Sequence, residues 1–411
     1  MAEKLMYMLR RIIKGISRRI KLFWDGFVFS SKIKSGKIKY GTICQGDQLG
    51  DKVLVFKPET EERIELQDIF EFCREGSFLV KCPEIDVRLF KNALCMADND
   101  FVVLNDNKVF WQKYYAYNYS KNIVLDNALI KEDEGILYYK VPQIIHNVNC
   151  AFSLIGVFAH IWSHSLSEHY IKLSVLGDIV RLSKDRVTVL VPDYTDEQLK
   201  EIVYKELNKY DVDVLIVKKE EAVFAKCLYY MERPAFFTDH EVAVEVGDNV
   251  QPKIVADIIK EQLVKPLVKD LEIKENIKLY LPRRGSYRSL KNNDEVEAFF
   301  KSQGFIFLEP HTVSLKEKVR LFRSAKTVVG PYSSAFSNLI FCRPGTKVLI
   351  LSNYYRAFES WLVMHKQHFG INMLWVTGYD DKKASNPAHC CFYIPLDKIT
   401  AAANVHGVLD E

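Results

Sequence analysis

The chain has 411 residues, 48% hydrophobic, 12% aromatic and 27% charged, with only 18 Gly and 13 Pro. That is too long for one ordinary core, and the balance excludes a disordered, collagen-like or low-complexity chain. Seven basic residues against Glu3 fall within residues 1–21; taking them from the chain's 57 basic and 53 acidic residues leaves 50 and 52, so the net charge of +4 arises there. A body without basic excess argues against a nucleic-acid binder. No apolar run approaches the roughly 18–20 residues of a membrane span.

In chain order, the first predicted element is an amphipathic helix over residues 1–26. Leu5, Leu9, Ile12, Ile13, Ile16, Ile20 and Phe23 share one stripe, with most basic residues opposite and Trp24 at the end. Residues 1–24 suit a helix lying on an anionic membrane surface, the plainer alternative being a helix docked on its own domain. Basic residues interrupt the apolar positions and no small-residue cleavage site follows, so a secretory signal is not expected. The nine cysteines are scattered and contain no Cys-x-x-Cys, which points to free thiols rather than a zinc ribbon or disulfide framework.

Residues 27–150 read as short strands, among them Lys52–Phe56, Phe101–Leu104 and Gly135–Val141. A helical stretch from about Val157 to Ser183 leads to strand Val187–Val191, helix Asp196–Tyr210 and strand Val212–Val217. Val246–Pro252 reads as a linker between a domain at 27–248 and another at 253–411. The second domain alternates regularly: helix Ile254–Val264, which Pro266 should end or kink, strand Ile277–Leu281, helix Asp294–Gln303, strand Phe305–Leu308, helix Leu315–Ser324, strand Thr327–Val329, a short helix from Ser333, strand Lys347–Leu351, helix Arg356–His368 and strand Met373–Val376. This alternation predicts an α/β protein of two Rossmann-like, doubly wound domains facing a cleft, with ligands outside the carboxyl ends of the strands.

Three segments at such positions carry chemistry. Leu281 to Arg288 places Arg283, Arg284 and Arg288 in a strand-end loop, where guanidinium forks grip phosphate oxygens; a solvated basic loop is the alternative. Val328 to Asn338 ends a strand in Gly330-Pro331 and opens a helix at Ser333 and Ser334, an anion-competent helix start unless the serines are plain caps. His164 and Glu168 stand four apart on a helix, a pairing that suits proton abstraction, although surface pairs of this kind are common. Asp98-Asn99-Asp100 and Asp211-Val212-Asp213 lie at turns, where Asp serves local hydrogen bonding, so neither is expected to hold a metal. Phosphate-loop, nucleophile-elbow and His-Glu-x-x-His patterns are missing from the sequence.

From Tyr280 to Leu351 these residues resemble glycosyltransferase family 61, including its bacterial capsule and lipopolysaccharide members. The resemblance rests on Tyr280-Leu281-Pro282-Arg283, Arg288, Asn292-Asn293-Asp294-Glu295, Gly304-Phe305 with Glu309, and Gly330 to Asn338 followed by Pro344-Gly345. Earlier, His164-Ser165-Leu166-Ser167-Glu168 is similar to the family's His-x-x-x-Glu/Asp piece. Tyr332 stands in place of the family's histidine, Ser333-Ser334 in place of Gly-Ala, and Asn293 where an acidic residue is usual.

The resemblance implies a GT-B-type, inverting enzyme. It would transfer a sugar from a nucleotide sugar, UDP-linked by first expectation, to a hydroxyl of a cell-surface polysaccharide or lipid-linked glycan. Glu168 would be the base and His164 its tuning partner; Arg283, Arg284, Arg288, Ser333, Ser334, Glu309 and Asn338 would hold the donor. No cofactor and no divalent metal are expected, and the location implied is cytoplasmic, on the inner membrane surface. Two alternatives stay open: a non-catalytic binding scaffold of the same fold, and a transferase using a cytidine-linked acidic sugar.

Overall fold

The computed structural model describes residues 39–44, 50–65, 77–82, 84–97, 99–104, 108–111, 129–133, 136–140, 142–235, 251–273, 276–285, 288–353, 360–380 and 390–409. The predicted amphipathic helix of residues 1–26 and most of the predicted linker lie outside them. Architecture is mixed α/β, built among the described residues on two large sheets and a two-stranded antiparallel sheet of β3 (Thr60–Glu65) and β4 (Ser77–Cys82).

The first sheet carries the strand-rich region. Its strands are β1 (Lys39–Cys44), β2 (Asp51–Lys57), β5 (Ile85–Met96), β6 (Phe101–Val103), β7 (Lys108–Trp111), β8 (Leu129–Asp133), β9 (Ile136–Tyr139), β10 (Ile144–Ser153), β11 (Thr188–Pro192), β12 (Asp213–Val217) and β13 (Glu221–Met231). They run in the order β12-β11-β10-β13-β5-β6-β7-β1-β9-β8, with β2 also on β5. The four strands β10 to β13 are mutually parallel, and the sheet turns antiparallel where β13 meets β5, Ala222 opposite Met96. The strand-rich region and the predicted Rossmann-like part therefore share one mixed sheet, where the sequence suggested a purely parallel one. The reason is β13, an 11-residue strand that pattern reading missed and that supplies both kinds of edge.

Residues 162–182 are helical throughout but irregular, and they start later than expected. An α turn (Trp162–His164) passes into a π-helical turn (Ser165–His169), a 3-10 stretch (Tyr170–Val175) and an α-helix (Leu176–Leu182). All five residues of the π turn are buried. Helix α1 (Glu197–Leu207) follows, with the Asp196 carboxylate accepting from the Gln198 and Leu199 amides.

The second sheet consists of β14 (Ile277–Tyr280), β15 (Ile306–Phe307), β16 (Ala325–Pro331), β17 (Lys347–Asn353), β18 (Asn372–Asp380) and β19 (Phe392–Tyr393), ordered β15-β14-β16-β17-β18-β19. The first five are parallel, and β19 closes the edge antiparallel. From β14 the chain goes outward to β15 and then returns to the other side as β16. That reversal is a topological switch point, the place where open α/β sheets bind ligands. β14 and β16 approach closely there: a Cβ on Gly330 would stand 2.3 Å from the Leu281 carbonyl oxygen.

Helices α2 (Asn293–Ser302), α3 (Leu315–Ser324), α4 (Ser360–Phe369) and α5 (Leu396–Val405) accompany this sheet. Ser314 caps α3 by accepting from the Glu317 amide at 3.2 Å, as a Ser-x-x-Glu start predicts. Pro266 does not end its helix: a π-helical stretch (Ile259–Val264) precedes it and the run continues as Lys265–Val268, absorbing the missing amide. The predicted strand Phe305–Leu308 shrinks to Ile306–Phe307, and the predicted short helix at Ser333 is a 3-10 helix (Ser334–Phe341).

One apolar cluster joins elements of both sheets. It includes Phe152, Leu166, Ile171 and Val189 together with Leu279, Val319, Val328, Phe336 and Trp375, and each such side chain contributes about 1.5–3 kcal/mol by burial. A separate cluster fills the opposite face of the second sheet, where Val296 and Phe300 of α2 and Ile399 and Ala402 of α5 meet Val329, Leu349 and Val376. Among the described residues no helix is long and apolar enough to cross a membrane. Cys82, Cys95, Cys150, Cys227, Cys342, Cys390 and Cys391 are free thiols.

Candidate active site

Strand β10 is followed by the loop Leu154–Ile161, and β13 by Glu232 and Arg233. Because β11 and β13 flank β10 on opposite sides, these carboxyl ends form the switch point of the first sheet. His164 and Glu168 stand there. His164 Nδ1 lies 3.2 Å from Glu168 Oε1; the His164 side chain is 20% exposed, whereas that of Glu168 is 0% exposed. The other carboxylate oxygen, Oε2, accepts from Arg233 Nη1 at 2.6 Å. Arg233 Nε in turn lies 2.9 Å from Asp100 Oδ2.

The loop wraps this chain of charge closely. The Val157 amide donates to Asp100 Oδ1 at 3.3 Å, and the Val157 carbonyl accepts from His169 Nε2 at 2.9 Å. The Phe158 ring rests on His164, centroids 4.9 Å apart, with Phe158 itself in the left-handed region at φ 58°. Lys172, fully buried, places its ammonium 5.5 Å from the Tyr230 ring centre, and the Tyr230 hydroxyl donates to the Asp100 carbonyl at 3.0 Å.

The electrostatics follow from this packing. Burial pushes the Glu168 carboxyl upward, but the Arg233 guanidinium and then His164 outweigh it, leaving Glu168 below the ordinary carboxylate range. Burial, reinforced by Lys172 and Arg233, holds His169 well below the usual imidazole value and therefore neutral. Burial lowers Lys172 to about 8, against the pull of Asp100.

At the switch point of the second sheet, Arg283 Nη1 donates to the Tyr332 carbonyl at 3.2 Å, tying the loop after β14 to the turn after β16. Ser333 precedes the 3-10 helix with an extended backbone, yet its side chain makes no cap, and its buried hydroxyl has no partner among the described residues. Plain capping therefore does not account for it. Asn338 is buried and donates to the Ala335 carbonyl at 2.9 Å, while Ser334 is exposed. The Tyr332 ring packs against Trp375 at 5.8 Å between centres.

Arg284 is not gathered with Arg283. It ion-pairs with Glu297 of α2 and lies 3.6 Å from Glu309 Oε1, at the rim beyond β15. Arg288 stands in the left-handed region at φ 55°.

The two switch points adjoin. The Trp162–His164 turn packs against the 3-10 helix Ser334–Phe341, and the Lys318 ammonium of α3 sits 3.5 Å from the Trp162 ring centre. Residues 158–349 match the family described as Glycosyltransferase 61. This stretch, a little under half of the chain, is a glycosyltransferase family 61 domain. The protein is thus a glycosyltransferase, an enzyme that moves a glycosyl group from a donor to an acceptor. No curated protein matches the chain.

The span matched to glycosyltransferase 61 opens at the loop that stacks on His164 and encloses Glu168, Arg233, Arg283 and Ser333. Asp100 lies outside it, on the strand-rich side of the first sheet. Sequence reading missed Arg233 and Lys172, gave His169 no role, and met Asp100 only as half of an Asp-x-Asp. Asp100 is engaged by Arg233, while Asp211 and Asp213 both face Arg186, at 2.9 and 2.8 Å.

Proposed function

We propose that the enzyme is an inverting glycosyltransferase acting on a nucleotide sugar, UDP-linked by preference, and on a hydroxyl of a cell-surface polysaccharide or lipid-linked glycan. The observation that carries this reading is the contact between the turn bearing His164 and the 3-10 helix that opens at Ser334. On this reading the contact would bring a proton-accepting pair beside an anion-competent strand end. The acceptor oxygen would form its bond to the anomeric carbon as the bond to the nucleotide diphosphate breaks, with the electron pair leaving on phosphate and the hydroxyl proton passing to the His164–Glu168 pair.

Arg283 and Arg288, with the amides and hydroxyls at Ser333 and Ser334, would meet the charge of the departing diphosphate. Guanidinium groups supply that positive charge, so this reading calls for no divalent ion. Asn338 would brace the phosphate turn. Glu309, flanked by Arg284, would take a ribose hydroxyl. Residues 1–24 would hold the enzyme on the anionic inner face of a bacterial membrane, where lipid-carried capsule or lipopolysaccharide chains grow.

Tyr332 favours a second reading. Its ring is buried against Trp375 where the family carries a histidine, so the site could hold a nucleotide sugar without turning it over. Calorimetry with UDP, GDP, CMP and their sugar conjugates, with and without manganese, separates these outcomes. Metal-independent binding of one nucleotide, lost in Arg283→Ala, is the expected result, with sugar transfer abolished in Glu168→Gln while donor binding persists. A preference for CMP would move the assignment to an acidic sugar. Binding without transfer to any acceptor would support the scaffold, and no nucleotide binding at all would refute the donor site.

A further inference from the structure

Behind His164 lies a line of buried charge whose outer members come from distant parts of the chain. Asp100 precedes β6, Arg233 follows β13, and Glu168 and Lys172 belong to the irregular helix; all four residues are at most 2% exposed. Taking each such ion from water costs several kcal/mol, and well-packed apolar residues often serve stability as well. Fold stability alone is therefore a poor account of the arrangement.

The geometry of Glu168 is specific. Oε2 faces Arg233 Nη1 and Oε1 faces His164 Nδ1, so both oxygens are engaged inside the protein. Its side chain is closed to solvent, whereas that of His164 is 20% exposed. An acceptor hydroxyl arriving from solvent reaches the imidazole, not the carboxylate. With Nδ1 turned to the carboxylate, the other ring nitrogen, Nε2, lies on the edge away from it. Carboxylates that hold an imidazole in one tautomer in this way leave the proton transfer to the ring. The π turn brings this about by setting both Glu168 and His169 inward.

We propose that Arg233, anchored by Asp100, is a positioning residue that locks Glu168 in its ionised form and aims it at His164, so that the acceptor proton is taken by the His164 imidazole. The proposal rests on the glycosyl-transfer reading above for the identity of that proton, and it reverses the order of the pair expected from sequence. The acceptor O–H bond breaks and its proton moves to His164 Nε2, the oxygen forms the new bond to the anomeric carbon, and the bond from that carbon to the diphosphate oxygen breaks with its electron pair leaving on phosphate. Glu168 stays ionised throughout and stabilises the imidazolium. The groups that face this carboxylate are His164, His169 and Lys172 from the helix, Arg233 from the end of β13 and, through Arg233, Asp100.

The test follows the Glu168 carboxyl carbon by NMR in protein labelled at glutamate, the resonance being assigned by its loss in Glu168→Gln. In the parent enzyme it should hold its ionised position from about pH 5 to 9, and in Arg233→Gln it should titrate within that window. Arg233→Lys, which keeps the charge, should restore the ionised position, and Asp100→Asn should reproduce the Arg233→Gln behaviour in weaker form. In the transfer assay, Arg233→Gln should lower kcat by about 100-fold with donor Kd unchanged, and Arg233→Lys should recover part of the loss. A Glu168 carboxyl that titrates between those limits in the parent, or stays ionised in both Arg233→Gln and Asp100→Asn, overturns the proposal. If the parent transfers no sugar at all, the function assigned above fails, and the carboxyl titration still decides whether Arg233 sets the charge of Glu168.

Discussion

Gly156 offers a direct test of how tightly the buried network is built. A Cβ at this position would stand 2.6 Å from Asp100 Oδ1 and 2.6 Å from His169 Cε1, and ordinary contact begins at 3.4 Å. Each neighbour would have to retreat by roughly 0.8 Å. Neither has an easy path, because Asp100 is held by Arg233 and the Val157 amide, and His169 is held by the Val157 carbonyl. Overpacking of this kind costs about 1–3 kcal/mol. If the Val157–Asp100 bond breaks as well, an unsatisfied buried group adds about 1–3 kcal/mol. With both contributions Gly156→Ala should lower stability by about 2–6 kcal/mol, read as a shift in the urea midpoint at constant slope. Gly285→Ala is the control: among the described residues nothing lies within 4 Å of its Cβ, and a change within about 0.5 kcal/mol is expected. A Gly156→Ala protein as stable as the control would show that the loop yields freely and that the network is not rigid.

Two further outcomes are expected. His365 and His368, buried on α4, donate to the Gln251 side chain and carbonyl, and burial lowers them to about 3 and about 4. Their stabilising effect is complete above the unfolded value near 6.5 and is lost as pH falls toward the folded values, so each steepens acid destabilisation by up to about 1.4 kcal/mol per pH unit. His365→Gln should flatten the urea midpoint against pH between about 6 and 4, and an unchanged slope would contradict the assignment. Deleting residues 1–24 should abolish co-sedimentation with anionic vesicles while sparing activity on a soluble acceptor; unchanged vesicle binding would show that the anchor lies elsewhere.

What could be read in the sequence was whatever depends on neighbours along the chain. The Lys347–Asn353 strand is a nearly unbroken apolar run because both its faces are covered, and His164 with Glu168 is visible as a four-residue helical step. The strand-end position of Arg283 followed from the apolar run before it. β13 escaped because Lys226 and Cys227 interrupt its apolar pattern and only three residues part it from β12. Arg284 looked like a phosphate ligand because its partner, Glu297, sits on the next helix and leaves no trace beside it. Asp100 and Arg233 meet across strand pairing between β13, β5 and β6, so no local spacing announces them. The same pairing turned an Asp-x-Asp weighed as a metal motif into a guanidinium anchor.

The partnership of β5 with β13 has a consequence for how the protein is made. Met96 leaves the ribosome long before its partner Ala222, and at about 5–20 residues per second the roughly 130 residues between take on the order of ten seconds. During that interval one edge of β5, a 12-residue strand with Val87, Phe90 and Ala93 among its buried side chains, has no native neighbour. An open strand edge of that length invites pairing with another nascent chain. Synthesis should be sensitive to chaperone supply and to rare codons placed between the two strands, even where the finished enzyme is stable.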